Sequence, residues 1–288
     1  VPEPDPLVIP EPEKWPIYER YVPQVISLMQ KSLQPLPVLG RSLEFSMLLN
    51  DVSSYMWYQG LNIDCQTTTE VAESILDELH YDINSKLRWD LHIIRGILCT
   101  FTGLSKREEG FERRRRSLAI CDHFQKLKKM PIDDVLTMRC ISLADLAIAY
   151  LEDENFEEVE RLMQECGSIY AKLGTEQELP FHWGRFYHHR SYGEAAQGRY
   201  IKALQMCQHA AELQEQHSGV GSTHTQDYRF TIAEMLYHAG DLQQSLNIHN
   251  DVLNARLRLD GHFNHRTLTS YFISGILQWR LGDLDLAE

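Results

Sequence analysis

His188, Tyr192 and Glu194 fall within two turns of one prospective helix, and Asp227 and Glu234 follow about one repeat later. No other constellation in the chain has the residue types for proton transfer: an imidazole and a phenol that can give or take a proton, with carboxylates to orient them. Such chemistry needs the groups within hydrogen-bond reach of one another and with shifted pKa values, and spacing alone supplies neither. No G-x-S-x-G, phosphate-loop or H-E-x-x-H pattern accompanies them. The expectation is therefore no catalytic residue and no enzyme. Polar side chains on the inner face of such an array are read as ligand contacts or solvated groups.

Metal and phosphate chemistry are weighed the same way. His262-Phe263-Asn264-His265 and His188-His189 offer imidazoles, but zinc takes about four ligands in a closed site, and no cysteine or carboxylate cluster has matching spacing. They are read as loop or surface histidines, with no metal and no cofactor. Arg113 to Arg116, followed by Lys126, Lys128 and Lys129, suggests a phosphate patch. Four successive residues point around a helix, however, and Glu108, Glu109 and Glu112 offset them, so a solvated face is expected. The formal charge of −13 makes nucleic acid a poor partner. No run approaches the roughly 20 apolar residues of a membrane span. Six cysteines stand singly, with no C-x-x-C pair, as reduced core residues of an intracellular, cytoplasmic protein.

These residues must be positioned by helices, because no sustained apolar/polar alternation marks a strand. Residues 233–246 read as a helix, a turn at Gly240-Asp241 and a second helix, and the turn glycines Gly198, Gly240 and Gly282 stand 42 residues apart. A fixed period of this size means stacked helical hairpins. Taking turns at Gly60, Gly103, Glu154, Gly198, Gly240 and Gly282, a small residue sits seven positions before each: Ser53, Gly96, Ala147, Ser191, Ala233 and Gly275. Ala203, Ser245, Ala287 and, with two extra turn residues, Gly110 take the matching place in the second helices. The wider spacing in the first half predicts longer loops, including those before Pro131 and Pro180. The class is all-α, one continuous solenoid of about six repeats over residues 41–288, with the last repeat truncated. Residues 1–13, with five of the eleven prolines, read as a linker. Residues 14–40 read as a capping helix with Pro16 in its first turn and a kink at Pro23. The ends suggest a piece of a longer protein.

The segments Gly198 to Leu204, Gly240 to Leu246 and Gly282 to Glu288 resemble the turn of tetratricopeptide repeats, which form right-handed α-solenoids. Leu259 to Ser270 resembles the long inter-repeat loop of the kinesin-light-chain type, whose period is also 42. Glu13 to Val25 resembles the helix opening the C-terminal repeat region of fungal NB-ARC or NACHT-type signalling ATPases.

The resemblance implies a protein-interaction or ligand-sensing module, the sensor of a larger signalling ATPase. The first helix of each tetratricopeptide hairpin lines the concave groove, and its groove positions select Arg185, His188, Tyr192, Asp227, Phe230, Glu234, Tyr237, His238, Phe272, Trp279 and Arg280. Their mix of rings and charges suits a peptide or protein partner. Phe230, Phe272 and Trp279 are equally compatible with packing on a neighbouring helix. A free-standing adaptor and an enzyme using the solenoid's pocket remain as alternatives. The lysine- and asparagine-rich clamp of co-chaperone arrays is not reproduced.

Overall fold

The computed structural model describes residues 15–34, 41–101, 104–128 and 130–283. The expected linker at 1–13, the Gly103 turn, Lys129 of the basic run and Ala287 lie outside the described residues. Twelve α-helices and no strand occur among those described: α1 (Trp15–Ser32), α2 (Leu43–Tyr58), α3 (Asn62–Glu78), α4 (Lys86–Phe101), α5 (Arg107–Leu127), α6 (Ile132–Glu152), α7 (Phe156–Leu173), α8 (Pro180–Ala196), α9 (Tyr200–Ser218), α10 (Thr223–Ala239), α11 (Leu242–Leu259) and α12 (His265–Leu281). The fold is all-α and built of helical repeats. By contact it divides into two compact units, residues 1–145 and 146–288, with the division inside α6.

The hairpin turns repeat one local geometry. At the five described turns the backbone enters the left-handed region at Gly60, Glu154, Gly198, Gly240 and Gly282. Each time the amide of that residue donates to the carbonyl three residues back. The next amide reaches five residues back: Leu61 to Met56, Asn155 to Tyr150, Arg199 to Glu194, Asp241 to Leu236 and Asp283 to Gln278. This ending satisfies the last carbonyls of the first helix and turns the chain back on itself. Glycine suits it because a Cβ is strained at positive φ, yet Glu154 adopts it at φ 55°. Asn155 and Asp241 then cap α7 and α11, accepting from the amides of Glu158 and Gln244.

The small residues mark where paired helices cross. The carbonyl of Ser53 accepts from Cys65 Sγ (3.2 Å) and that of Ala233 from Ser245 Oγ (2.7 Å), while Cys207 Sγ donates to Ser191 Oγ (2.9 Å). A Cβ on Gly110 would lie 3.7 Å from the Gly96 carbonyl and 3.0 Å from Cys99 Cβ. All six cysteines are buried and unbridged. Ala233→Leu, at a fully buried crossing, is expected to lower stability by about 1–3 kcal/mol through overpacking, whereas Gln243→Leu on the exposed side should be near neutral. Chemical denaturation of the two variants checks this, and equal tolerance would overturn the crossing assignment. Gly275 is only half-buried, so leucine there should be tolerated better than at Ala233.

The first unit is centred on Leu49, Met56, Ile75, Leu76 and Leu91, with α1 packed on α2 and α3 and running through Pro23. Trp89 is wholly buried, and its indole N–H donates to Ser142 Oγ at 2.9 Å. The long spacing between the Gly103 and Glu154 turns is not a long loop, contrary to expectation. α5 and α6 are each 21 residues long, and only residues 128–131 separate them. The arginine run also departs from a solvated face. Arg114 is 4% exposed and donates to Thr100 Oγ1 (2.8 Å), and Arg113 pairs with Glu73 and Glu109. Only Arg115 and Arg116 are solvated, facing Glu108 and Glu112. The physical reason is that Glu73 of α3 and Thr100 of α4 supply partners that α5 alone does not show.

In the second unit α8 to α11 pack in antiparallel sequence around Ala203, Cys207, Ala210, Tyr228, Ile232, Met235 and Leu236, and α12 packs on α11. No described helix is long and apolar enough to cross a membrane.

Candidate functional site

The first helices of the second unit's hairpins, α8, α10 and α12, are linked side by side through the residues the sequence singles out. His188 of α8 stacks on Tyr228 of α10 (ring centroids 4.1 Å), and its Nε2 lies 2.9 Å from Thr231 Oγ1. Tyr192 Oη is 3.3 Å from both that nitrogen and that hydroxyl. Burial, with His189 and Arg185 adding to it, holds the His188 imidazole well below the ordinary histidine range, so it is neutral. Burial likewise raises the phenols of Tyr192 and Tyr228. Contrary to the surface reading, His188 and His189 are partly enclosed, and His189 Nδ1 donates to the Arg185 carbonyl at 2.7 Å. The enclosure comes from α10, which a helix read in isolation does not reveal.

Asp227, one turn before Thr231, accepts from Arg256 of α11 (3.0 Å) and pairs with Arg266 of α12. Arg256 also donates to the Arg266 carbonyl and to Ser270 Oγ, and lies over the Phe230 ring at 4.5 Å. Phe230 is thus packed against α11, where His249 meets it edge-on at 4.8 Å. Both ring nitrogens of His249 lack a hydrogen-bond partner among the described residues, and burial depresses its pKa to about 4. Toward the other end of α10, Arg280 of α12 donates to Tyr237 Oη (2.5 Å) and covers its ring, while His238 stacks on Tyr200. Phe272 and Trp279 are 68% and 63% exposed.

Glu194 does not join this group. It is buried toward the turn, paired with Arg199 and Lys202, which hold its carboxyl below the usual range. The five-residue acid–base constellation therefore does not assemble: His188, Tyr192 and Thr231 satisfy one another, and Asp227 is committed to two arginines. Glu234 differs, because burial lifts its carboxyl to about 7, with Arg256 the only charge opposing the shift. A carboxyl raised in the folded state stabilises the fold below its unfolded pKa, and that contribution is lost as pH rises through about 7. Glu234→Gln should thus gain stability relative to wild type between about pH 4.5 and 7. Melting temperatures across that range measure it, and a pH-independent difference would count against the buried carboxyl.

Sequence reasoning missed Tyr228, Thr231, Arg256, Arg266 and His249, which complete the face. Arg256 and His249 belong to a second helix, where a rule about first helices never looks. Arg185, by contrast, makes no side-chain hydrogen bond or ion pair among the described residues. No group of three histidine, cysteine or carboxylate residues suited to a metal ion occurs among the described residues.

No protein-family model matches the chain, and no curated protein matches it either. Solved structures do. One similar structure is BtubC (BKLC) from P. vanneervenii, with a TM-score of 0.53 and 18% identity over 63% of this chain and 69% of that one. Another is a signal transduction ATPase with numerous domains that has a tetratricopeptide repeat sensor, from Pyrococcus horikoshii. Its TM-score is 0.58 at 15% identity, over 94% of this chain and 38% of that chain's length. At such identities the likeness shows the fold, a tetratricopeptide-like helical repeat.

Proposed function

We propose that the chain is a sensing module that binds an extended peptide or protein segment across α8, α10 and α12. In this reading it serves a larger signalling ATPase of the NB-ARC or NACHT kind. The observation that carries the reading is the composition of that face. It presents the exposed rings Phe272 and Trp279, the Tyr237–Arg280 pair and the uncommitted Arg185, while its proton-transfer groups are tied to one another. Rings give contact area at low entropy cost, and unpaired charges fix register. The structural likeness to an ATPase with a tetratricopeptide repeat sensor supports the wider role. The adaptor and enzyme readings lack such an observation.

The test is the triple variant Arg185→Ala, Tyr237→Ala, Trp279→Ala. It should keep its helical circular dichroism and lose affinity for peptides selected on the wild-type protein from a random display library. A loss of about 1 kcal/mol or more is expected per hot-spot side chain. Unchanged affinity of the triple variant would remove this face from consideration.

A further inference from the structure

The α10–α11 hairpin carries an open cleft of about 490 Å³, lined by Gln226 and Arg229 of α10, by Asp251, Asn254, Ala255 and Arg258 of α11, and by Val220 before α10, with no residue of α12 in its lining. The 42-residue period shows why it is there. Arg229 occupies the position of Tyr187 one repeat earlier and Tyr271 one repeat later; Gln226 replaces Gly184 and Leu268; Ala255 replaces Leu213. In the α8–α9 hairpin this space is full. Tyr187 packs on His209 at 4.8 Å, and Leu213 Cβ would lie 3.6 Å from a Cβ on Gly184. At α10–α11 the ring and the leucine are exchanged for an arginine and an alanine, which leaves room and lines it with polar groups.

Those groups are not satisfied within the fold. Gln226 is 2% exposed; its Nε2 donates to the Val220 carbonyl (2.8 Å), which fixes the amide's orientation, and its Oε1 is left without a partner. A buried amide carbonyl without a donor costs about 1–3 kcal/mol, a cost that a ligand N–H or O–H removes. Arg229 has one long contact, 3.5 Å to Asp251, which is itself 66% exposed. Arg258 makes no hydrogen bond or ion pair among the described residues. Two guanidiniums against one carboxylate form a cationic spot on a chain of net charge −13, and guanidinium recognises phosphate and carboxylate through paired donors. A cleft of this volume is within the range that holds small molecules.

We propose that this cleft is a small-molecule site, separate from the peptide face, for a ligand that offers a phosphate or carboxylate to Arg229 and Arg258 and a hydrogen-bond donor to Gln226. The experiment titrates the full chain by calorimetry with inorganic phosphate, citrate, adenosine monophosphate and glutamate at constant ionic strength. These probes separate phosphate from carboxylate, and each carries an O–H or N–H donor for Gln226. Saturable binding of at least one donor-bearing anion is expected, weakened about tenfold or more in Arg229→Gln/Arg258→Gln, since a charge-assisted hydrogen bond is worth at least that much. Arg229→Tyr, which restores the residue of the flanking repeats, should abolish binding and raise the melting temperature by filling the cleft. The Arg185→Ala/Tyr237→Ala/Trp279→Ala variant should bind the anion as wild type does, so failure of the peptide face and failure of this site are distinguishable. Absence of saturable binding by all four probes, or equal affinity in the wild type and the arginine double variant, would overturn the site.

Discussion

Asp227→Ala is expected to destabilise the second unit by about 3 kcal/mol, the order of loss seen when one partner of a buried ion pair is removed. The Arg256 side chain is 5% exposed and that of Arg266 13% exposed, and the Asp227 carboxylate, itself 26% exposed, stands between them. Without it two guanidiniums face each other, and burial already lowers the Arg256 pKa. Ser270 Oγ and the Arg266 carbonyl satisfy part of Arg256 but carry no compensating charge. Asp227→Asn should fall between wild type and alanine, because it keeps an acceptor and loses the charge. Removing Asp227 and the more deeply buried arginine together, in Asp227→Leu with Arg256→Met, leaves only Arg266 charged and should recover part of the loss. Urea denaturation decides the matter: a loss below about 0.5 kcal/mol in Asp227→Ala, the scale of ordinary surface substitutions, would mean that the arginines are hydrated rather than held.

Acid is the second large lever. Burial holds His189, His224 and His249 of the second unit at about 4, and His188 well below the ordinary range. A histidine depressed in the folded state contributes stability above its unfolded pKa of about 6.5 and loses it as pH falls toward the folded value. A shift from 6.5 to about 4 is worth about 3 kcal/mol, and His188 acts in the same direction as the other three. Glu234 and Asp260 oppose them, since burial raises both carboxyls and their protonation favours the folded form, but they are two groups against four. The second unit should therefore weaken steeply between about pH 6.5 and 4. His249→Leu should flatten that slope and, because both ring nitrogens are orphaned, raise stability at pH 7 as well. A melting temperature constant from pH 7 to 4.5 would sink the expectation.

The repeat grammar was legible because its causes are local. A left-handed residue ends the first helix at each described turn, and that demand is written as glycine at Gly60, Gly198, Gly240 and Gly282, with small residues seven positions earlier where helices cross. Glu154 carries no such sign in its type, and Ala147, seven positions earlier, is the mark it shares with the other turns. Where spacing grew, the pattern did not say whether loop or helix absorbed it, because a helix lengthened by whole turns keeps its apolar face. Hence the spacing predicts a longer loop before Pro131, where the structure has two helices of 21 residues, α5 and α6.

The candidate face was legible in outline only. Counting back from turn glycines puts Arg185, His188, Tyr192, Asp227, Glu234 and Tyr237 on first helices, since helical periodicity is a property of the chain itself. Commitment is decided by neighbours that are distant in sequence. Glu194 turns away to Arg199 and Lys202, Asp227 is claimed by Arg256 and Arg266, and His188 is neutral because Tyr228 and Thr231 cover it. The sequence by itself determined the all-α class, the turns, the crossings and which residues stand on first helices, because those follow from backbone geometry within one repeat. Only the tertiary structure decided which of their charges are spent inside the fold and which stay unpaired, because desolvation and pairing depend on side chains brought in from the neighbouring helices.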